Sequence, residues 1–274
     1  MTVAFVFQGG SSLAAVQVGM LRALHDAGVR PDLVVGSSAG AINAVTFAQD
    51  PTGAGIEDMQ RLWVGLRRSD VFPMNLRALL AGLSGRGNGL VKPGHLRTLL
   101  ERILQVHDLR DTPLPAHVVA THALTGRPEV LSEGPAAEAL LASSSIPGLL
   151  PPVPWGGKPL IDGGISADVP ILQAEALGAT TSYVLPSLID APVDAPVTGA
   201  LPIMLRSMGM LLGRTSGHDL AAARGEVHVL PVPTMHGLNP LDFRHGAEYV
   251  RLGYDSTRGW LSRRPELVPE LVAA

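Results

Sequence analysis

Residues 32–44 read D-L-V-V-G-S-S-A-G-A-I-N-A, and this stretch decides the fold that we expect for the whole chain. A short apolar run leads into a turn of glycine and serine, after which residues 41–49 are small or apolar. The pattern predicts a buried strand, a sharp turn and a helix. The turn matches G-x-S-x-G, in which Gly36 and Gly40 let the backbone fold so tightly that the central serine is exposed and strained. Ser38 is therefore the candidate nucleophile.

The same letters have a simpler interpretation. A glycine–serine loop can cap a helix, with Ser37 or Ser38 accepting a hydrogen bond from the first helical turn. The apolar strand before the turn and the small residues after it favour the nucleophile, because an exposed serine at a strand-to-helix turn requires that setting.

A second glycine-rich turn follows the amino-terminal apolar run, 3–7, which is typical of a strand covered on both faces. The turn reads Q-G-G-S-S at 8–12, and residues 14–25 continue at helical spacing. Backbone N–H groups in such a loop can bind an anion or a developing negative charge. The spacing is wrong for the G-x-G-x-x-G of a dinucleotide site, and the Gly-Lys-Ser/Thr of a P-loop is missing, so no cofactor is expected.

The two turns are expected to meet. One helix separates the two strands, so the strands should be parallel neighbours whose carboxyl ends lie side by side. Backbone N–H groups of the first turn, at Gly9 and Gly10, would then face a carbonyl attacked by Ser38 and stabilise the oxyanion that forms on it.

Composition limits the function. The chain has 274 residues, of which 46% are hydrophobic and 16% charged, so we expect one sizeable core and a single domain over 1–274. The looser stretches 69–92 and 186–217 are candidate lid or cap insertions. A net charge of −3 without a basic stripe argues against nucleic acid, and the absence of cysteine excludes disulfides, thiolate catalysis and Cys-ligated zinc. No histidine spacing suggests a metal site.

No segment has the pattern of a secretory leader or a membrane span. The amino terminus lacks a basic region before its apolar run, and the longest apolar stretch, 201–212, is interrupted by Arg206 and too short to cross a bilayer. We therefore expect a cytoplasmic protein. For 201–212, packing on the sheet is favoured over an interfacial contact with acyl chains or a membrane.

Shorter patterns place the remaining elements. Helices are predicted at 55–68, 76–83, 93–106, 135–143, 170–177, 201–212 and 246–261, and strands at 116–121, 129–131, 159–161, 181–185 and 226–230. The last residues, 263–274, are predicted to be solvated.

A serine nucleophile needs a group that accepts its proton. His236 and His245 come late enough for the order Ser, acid, His of the α/β-hydrolases, but Ser38 follows only the second strand, which argues against that fold. Asp162 is the alternative, because it follows the apolar run 159–161 and precedes two glycines. A carboxylate is a general base only where its pKa is raised, and a plain Asp-Gly turn has the same letters. The residues alone leave the proton acceptor open.

Four motifs, in order along the chain, give a clearer indication. They are G-G-S-S-L-A-A-V-Q-V-G-M-L at 9–21, G-S-S-A-G-A at 36–41, A-S-S-S-I-P-G-L-L-P-P-V at 142–153 and D-G-G at 162–164. In these motifs the sequence resembles the patatin-like phospholipase family, from the first strand to about residue 186. The resemblance implies a three-layer α/β/α fold with a mainly parallel central sheet.

The resemblance also implies roles for single residues. Ser38 is the implied nucleophile and Asp162 the implied proton acceptor of a Ser-Asp dyad, and the turn after the acid is made by Gly163 and Gly164. The implied oxyanion hole is the backbone of Gly9, Gly10 and Ser11. The implied activity is hydrolysis of acyl esters in phospholipids, lysophospholipids and other lipids. The expected partner is thus a lipid or small acyl-ester substrate, with transient contact with a membrane surface.

Two features depart from the family pattern. The first loop of the family commonly reads G-G-G-x-R/K-G, but here the third glycine, the cation and the last glycine are replaced by Ser11, Leu13 and Ala14. The backbone donors remain, whereas a charge that could favour an anionic head group is lost. Asp168 stands where asparagine is frequent, and a second carboxylate close to Asp162 would raise the pKa of that residue.

The hypothesis is a serine acyl hydrolase that forms a covalent acyl-enzyme, in which Asp162 takes the proton from Ser38 and later activates water. The 201–212 helix and the 69–92 stretch are the candidates for an acyl pocket and a lid. Two rivals stay open. One is an acyltransferase or thioesterase with the same dyad, and the other is a non-catalytic lipid-binding or interaction protein on this fold.

Overall fold

The computed structural model describes residues 1–71, 89–187, 200–235 and 239–269. Within these ranges, eight strands form one sheet. They are β1 (Val3–Phe7), β2 (Leu33–Ser37), β3 (Ala116–His122), β4 (Pro128–Leu131), β5 (Val153–Trp155), β6 (Lys158–Ile161), β7 (Thr181–Leu185) and β8 (Glu226–Val229).

The centre of the sheet is parallel. Strands β8, β7, β1, β2 and β3 lie in this order, and each neighbouring pair is parallel. Strands β4 and β6 pair antiparallel with β3, and β5 pairs antiparallel with β6. The predicted parallel pairing of the first two strands is confirmed, with Phe7 opposite Gly36. The carboxyl ends of β1 and β2 therefore lie side by side, and β3 lies next to β2.

Helices cover both faces of the sheet. They are α1 (Ala15–Asp26), α2 (Ala39–Gln49), α3 (Gly53–Gly65), α4 (Arg68–Val71), α5 (Gly94–Ile103), α6 (Ala136–Ser143), α7 (Gly164–Ala167), α8 (Ile171–Ala176), α9 (Ala200–Ala222) and α10 (Gly246–Leu261).

Alternating side chains of β1 divide the core into two layers. Phe5 and Phe7 belong to the larger apolar cluster, beneath α1, α2, α3 and α10, whereas Ala4 and Val6 belong to a second cluster with α7 and α8. Successive strand residues point to opposite faces, so this division means that helices cover the sheet on both sides. The expected α/β/α architecture with a mainly parallel central sheet is confirmed.

Two helices differ from their predictions by more than a few residues at an end. The helix predicted at 55–68 is divided into α3 and α4, because buried Leu66 has an extended backbone (φ −70°, ψ 137°). The helix predicted at 201–212 continues to Ala222, past Gly213 and Gly217. A glycine inside a helix costs roughly 1 kcal/mol relative to alanine and does not by itself end the helix.

The carboxyl-terminal prediction is corrected in part. The stretch 263–274 was expected to be solvated, but Pro265–Leu267 forms a short 3₁₀ helix, and Leu267 and Val268 pack against the larger core cluster. Their apolar side chains gain more from burial than from exposure to water.

Some predictions lie outside the described residues. These are the helix at 76–83, most of the candidate lid at 69–92, the part of the second insertion at 188–199, and His236. Among the helices in the described ranges, none combines the length and the apolar character needed to cross a membrane.

Helices α1 and α10 pack at close range, although they lie near opposite ends of the chain. A Cβ atom added to Gly19 would stand 2.6 Å from the backbone nitrogen of Tyr254, and one added to Gly253 would stand 3.0 Å from the backbone carbonyl carbon of Val16. Both distances are shorter than normal van der Waals contacts, so the two backbones approach each other because these positions lack side chains.

Replacing Gly19 with alanine is expected to lower the free energy of unfolding by about 1–3 kcal/mol, because the added methyl group forces the two helices apart. The free energy would be measured by urea denaturation. The matched control is Gly213→Ala in α9, where the described residues leave open space around the new methyl group. That change should be neutral or stabilising by up to about 1 kcal/mol. Equal stability of the two variants would contradict the expectation.

Candidate active site

Ser38 lies at the turn between β2 and α2. Its backbone angles, φ 54° and ψ −128°, are ones that residues with a side chain rarely adopt. A Cβ atom on Gly40 would stand 2.5 Å from the carbonyl oxygen of Phe7, and one on Gly36 would stand 2.5 Å from the carbonyl oxygen of Gly40. The glycines of the motif are thus required by close backbone contacts. Although Ser38 occupies the N-cap position of α2, its hydroxyl makes no capping hydrogen bond.

The Ser38 hydroxyl instead donates a hydrogen bond to Asp162. The distance from Ser38 Oγ to Asp162 Oδ2 is 2.8 Å, although 124 positions separate the two residues in the chain. The other carboxylate oxygen, Oδ1, accepts the backbone N–H of Gly164 at 2.8 Å. The structure therefore brings together the serine and the acid that the sequence singled out.

Burial sets the proton affinity of Asp162, whose surface is 6% exposed. Loss of solvation and, to a smaller extent, the nearby charge of Asp168 raise the pKa of Asp162 to about 7, against the opposing hydrogen bonds from Ser38 and Gly164. A group with this pKa is partly ionised at neutral pH and can accept a proton there.

The acid is held by the end of β3. Thr121 Oγ1 donates to the backbone carbonyl oxygen of Asp162 (2.7 Å), and the Asp162 N–H donates to the carbonyl oxygen of Ser145 (2.9 Å). Gly163 packs directly on β3, since a Cβ atom there would overlap the carbonyl oxygen of Val119. Because β3 also pairs with β2, the acid is fixed relative to the strand that ends at the serine.

Ser143, at the end of α6, has a role that the sequence did not reveal. Its hydroxyl accepts the backbone N–H of Ser38 (2.8 Å) and donates to the carbonyl oxygen of Val119 (2.6 Å). Gly163 also donates its N–H to the carbonyl oxygen of Ser143 (3.1 Å). One residue of the A-S-S-S-I-P motif therefore contacts the serine turn, β3 and the acid turn. The motif was visible in the sequence, but this bonding was not.

The change Ser143→Ala is expected to lower the free energy of unfolding by about 1–3 kcal/mol, because the part-buried N–H of Ser38 loses its acceptor and the buried carbonyl oxygen of Val119 loses a donor. Thermal and urea unfolding would measure the loss. The neighbouring Ser144→Ala is the control, since the Ser144 hydroxyl is buried and has no hydrogen-bond partner among the described residues. If Ser144→Ala lowered the free energy of unfolding as much as Ser143→Ala, the hydrogen bonds of Ser143 would not be the cause of the loss.

The glycine-rich loop after β1 offers backbone donors. Gly9 differs from its neighbours, because its N–H already donates to the carbonyl oxygen of Asp168 (3.1 Å). Within the described ranges, the N–H groups of Gly10 and Ser11 donate to no protein acceptor, and neither does that of Ala39, the first residue of α2. Ser11 and Ala39 both line the cavity that contains Ser38. Ala39 was not singled out in the sequence, although the residue after a nucleophilic serine is a frequent oxyanion donor.

No histidine in the described part of the chain forms a hydrogen bond with Ser38 or lines its cavity. His245 forms a hydrogen bond with Glu248 (Nδ1 to Oε2, 3.2 Å) and stacks on Tyr249, and His236 lies outside the described residues. In the portion of the chain that is described, no group of three His, Asp or Glu side chains is arranged to hold a metal ion.

An apolar cavity of about 50 Å³ adjoins Ser38. Its walls come mainly from α3, α4 and α5 and include Leu62, Trp63, Leu66, Val71, Leu96, Leu99 and Ile103. The 201–212 helix was expected to form an acyl pocket, but no described side chain of α9 lines this cavity. The 69–92 stretch contributes Val71 among the described residues, and the other described lining residues belong to other parts of the chain.

Comparisons with known proteins agree with the fold and the motifs. The patatin-like phospholipase family model matches residues 5–175. An NTE family protein of Mycobacterium tuberculosis is 27% identical over 291 residues, covering 97% of this chain and 48% of that protein. Mouse patatin-like phospholipase domain-containing protein 6 is 28% identical over 182 residues, covering 66% of this chain and 13% of that protein. The chain thus spans about half of the first relative and a small part of the second.

Solved structures are more distant. The crystal structure of VipD from Legionella pneumophila has a TM-score of 0.49 at 16% sequence identity, and it covers 95% of this chain and 66% of the VipD chain. The family match, in contrast, includes well over half of the chain and every residue of the Ser38 and Asp162 turns. The chain therefore belongs to the patatin-like phospholipase family.

Proposed function

We propose that this protein is a serine acyl hydrolase that cleaves carboxylic ester bonds of lipids through a covalent acyl-enzyme. The observation that carries the proposal is the 2.8 Å hydrogen bond from Ser38 Oγ to Asp162 Oδ2, at a strained turn beside an apolar cavity. Nucleophile and base lie within hydrogen-bond reach, and the base has a pKa suited to proton transfer near neutral pH.

The reaction begins with ionised Asp162. The carboxylate takes the proton of Ser38 while Oγ attacks the ester carbonyl carbon, and the carbonyl oxygen becomes negatively charged. The N–H groups of Gly10, Ser11 and Ala39 are the proposed donors to this oxyanion. When the tetrahedral intermediate collapses, Asp162 gives the proton to the leaving alcohol oxygen, and the acyl group remains on Ser38.

Deacylation repeats these steps with a water molecule as the nucleophile in place of the Ser38 hydroxyl. Ionised Asp162 removes a proton from a water molecule, whose oxygen attacks the acyl carbonyl. The same backbone N–H groups stabilise the second oxyanion. Collapse of this intermediate releases the carboxylic acid, and the proton on Asp162 returns to Ser38. Because the acid serves as base and proton donor in both halves, no histidine is required.

The proposed substrate class rests on the cavity and the family. Apolar walls beside Ser38 suit an acyl chain, since burying each methylene group contributes about 0.8 kcal/mol. Lipid esters reside in membranes or micelles, so transient contact with a membrane surface is part of the proposal. Helix α9 offers exposed apolar side chains for such a contact, namely Ile203, Met210 and Leu211.

The proposal is tested by incubating the protein with a mixed lipid extract in ¹⁸O-labelled water, with the Ser38→Ala protein in parallel. Mass spectrometry should show that particular lipid esters disappear with the unmodified protein but not with Ser38→Ala. The released acids should carry one ¹⁸O atom. Acyl groups transferred to an added alcohol or thiol, without ¹⁸O in free acid, would indicate an acyltransferase. If no lipid changes and no short p-nitrophenyl ester is hydrolysed, the protein is a binding protein on this fold.

A further inference from the structure

Asp168 is a buried carboxylate to which the mechanism above assigns no task. It follows α7, and 8% of its surface is exposed. Its Oδ2 accepts a hydrogen bond from Gln8 Nε2 (2.7 Å), and its backbone carbonyl oxygen accepts the N–H of Gly9 (3.1 Å). Asp168 thus holds both the Gln8 side chain and the Gly9 backbone, at the start of the loop that carries the N–H groups of Gly10 and Ser11.

The orientation of the Gln8 amide is fixed by its second partner. Gln8 Oε1 accepts the N–H of Ser187 (2.9 Å), so the group that faces Asp168 is the amide nitrogen. An amide nitrogen donates and cannot accept, and residue 168 therefore has to present an acceptor. Aspartate and asparagine both offer an oxygen, and the carboxylate makes the stronger bond because it is charged.

Buried amides connect this point to the cavity. Gln17 Nε2 donates to the backbone oxygen of Gln8 (2.7 Å), while Gln17 Oε1 accepts from Asn43 Nδ2 (2.9 Å). Asn43 Oδ1 in turn accepts from Trp63 Nε1 (2.8 Å), and Trp63 lines the cavity beside the serine. The loop backbone is therefore held between Asp168 on one side and the cavity wall on the other.

The carboxyl groups of Asp168 and Asp162 lie close to each other. A Cβ atom on Gly164 would stand 3.0 Å from Asp162 Oδ1 and 3.2 Å from Asp168 Oδ1. Besides the glycine loop and α7, helix α9 packs near this pair. Neither carboxyl group forms a hydrogen bond or ion pair with the charged residues of α9 whose side chains are described, which are Arg214, His218 and Asp219. A negative charge at 168 makes a neighbouring carboxylate more basic.

We propose that Asp168 is a positioning residue with two effects: it holds the oxyanion loop in place through Gln8 and Gly9, and its charge strengthens Asp162 as a base. The inference rests on the proposed ester hydrolysis. It assigns a purpose to the aspartate that stands where the family frequently has asparagine, because asparagine would supply the hydrogen bond without the charge.

Two substitutions separate these effects. Asp168→Asn keeps an acceptor for Gln8 and removes the charge, so kcat is expected to fall about threefold and the acidic limb of kcat/KM to move to lower pH. Asp168→Ala removes the acceptor too, so kcat is expected to fall about 30-fold with little change in KM, because misplaced donors weaken transition-state binding. Asp219→Asn, which removes a carboxylate of α9, should leave kcat and the pH profile unchanged.

A second variant covers the case in which Asp168→Ala does not fold. Gln8→Met breaks the same hydrogen bond from the other side with a side chain of similar length. Its kcat should fall about as far as that of Asp168→Ala, whereas its acidic limb should stay in place, because the charge of Asp168 remains. A folded Gln8→Met or Asp168→Ala protein whose kcat equals that of the unmodified protein would overturn the holding role.

An acidic limb that stays in place in Asp168→Asn would overturn the role of the charge. The proposed function is assessed separately, by labelling the unmodified protein with a fluorophosphonate probe and by its ester hydrolysis. If the unmodified protein is inactive in both assays, the proposed function fails. If the unmodified protein is active and the variants at residues 8 and 168 have the same kcat and pH profile, only the inference about Asp168 fails.

Discussion

Ester hydrolysis is expected to fall by about 10⁴-fold or more in kcat when Ser38 is replaced by alanine, because the chain then lacks the oxygen that forms the acyl-enzyme. Initial rates on short p-nitrophenyl esters would measure the loss. Covalent labelling by a fluorophosphonate probe, followed by mass spectrometry, should disappear in the same variant. Circular dichroism and the unfolding midpoint should show that the variant is folded.

The adjacent Ser37→Ala variant is the matched control. Ser37 is fully buried, and its hydroxyl has no hydrogen-bond partner among the described residues. Its removal should leave labelling and most of the activity intact. Labelling that persists in Ser38→Ala, or that is lost in Ser37→Ala instead, would show that Ser38 is not the nucleophile.

The second large effect is expected at Asp162. In Asp162→Asn the amide cannot accept the proton of Ser38, so kcat is expected to fall by about 10³- to 10⁴-fold. In the unmodified protein the carboxylate has to be ionised to act, and burial raises the pKa of Asp162 to about 7. Activity should therefore rise with pH through about pH 7, and that limb should be missing from the residual activity of the variant.

The control for Asp162 is His245→Ala. This histidine is paired with Glu248 and makes no contact with Ser38, so the variant should keep the activity and the position of the acidic limb. If His245→Ala were inactive and Asp162→Asn active, a serine–histidine mechanism would replace the one proposed.

Stability provides an independent readout at Asp162. Because the pKa of Asp162 is higher in the folded chain than the roughly 3.9 expected when unfolded, the folded state binds the proton more tightly. Its contribution to the free energy of unfolding is present in full below about pH 4 and is lost as the pH rises through about 7. Asp162→Asn lacks this loss, so its stability should fall less than that of the unmodified protein between pH 4 and pH 8.

Sequence patterns predicted the parts of the site that follow from local structure. An apolar run before each glycine-rich turn indicated buried strands, and one intervening helix made them parallel neighbours, as observed for β1 and β2. The residues alone did not choose between Asp162 and a histidine, because the pairing of β6 with β3, far along the chain, decides where the acid lies. The family resemblance supplied that choice.

Other features depend on contacts that leave no local pattern. Ser143 reads as one of three consecutive serines, and only the folded chain distinguishes its hydroxyl, which bonds to the Ser38 N–H, from that of Ser144. Gly9 reads as an oxyanion donor like Gly10, but the turn after α7 occupies its N–H. The extension of α9 beyond residue 212 was not predicted, because the apolar run that indicated this helix covers only residues 201–212.

The contact between α1 and α10 means that the segment needed for the proposed reaction is shorter than the segment needed to complete the core. Every residue that we propose to act in the reaction precedes β7, yet the apolar seam of α1 is closed by a helix that begins at Gly246. During synthesis this seam therefore stays open until α10 has been made, and the nascent protein has an aggregation-prone surface for that time. A fragment ending before α10 would contain all of the proposed reactive groups but would lack the helix that completes its hydrophobic core.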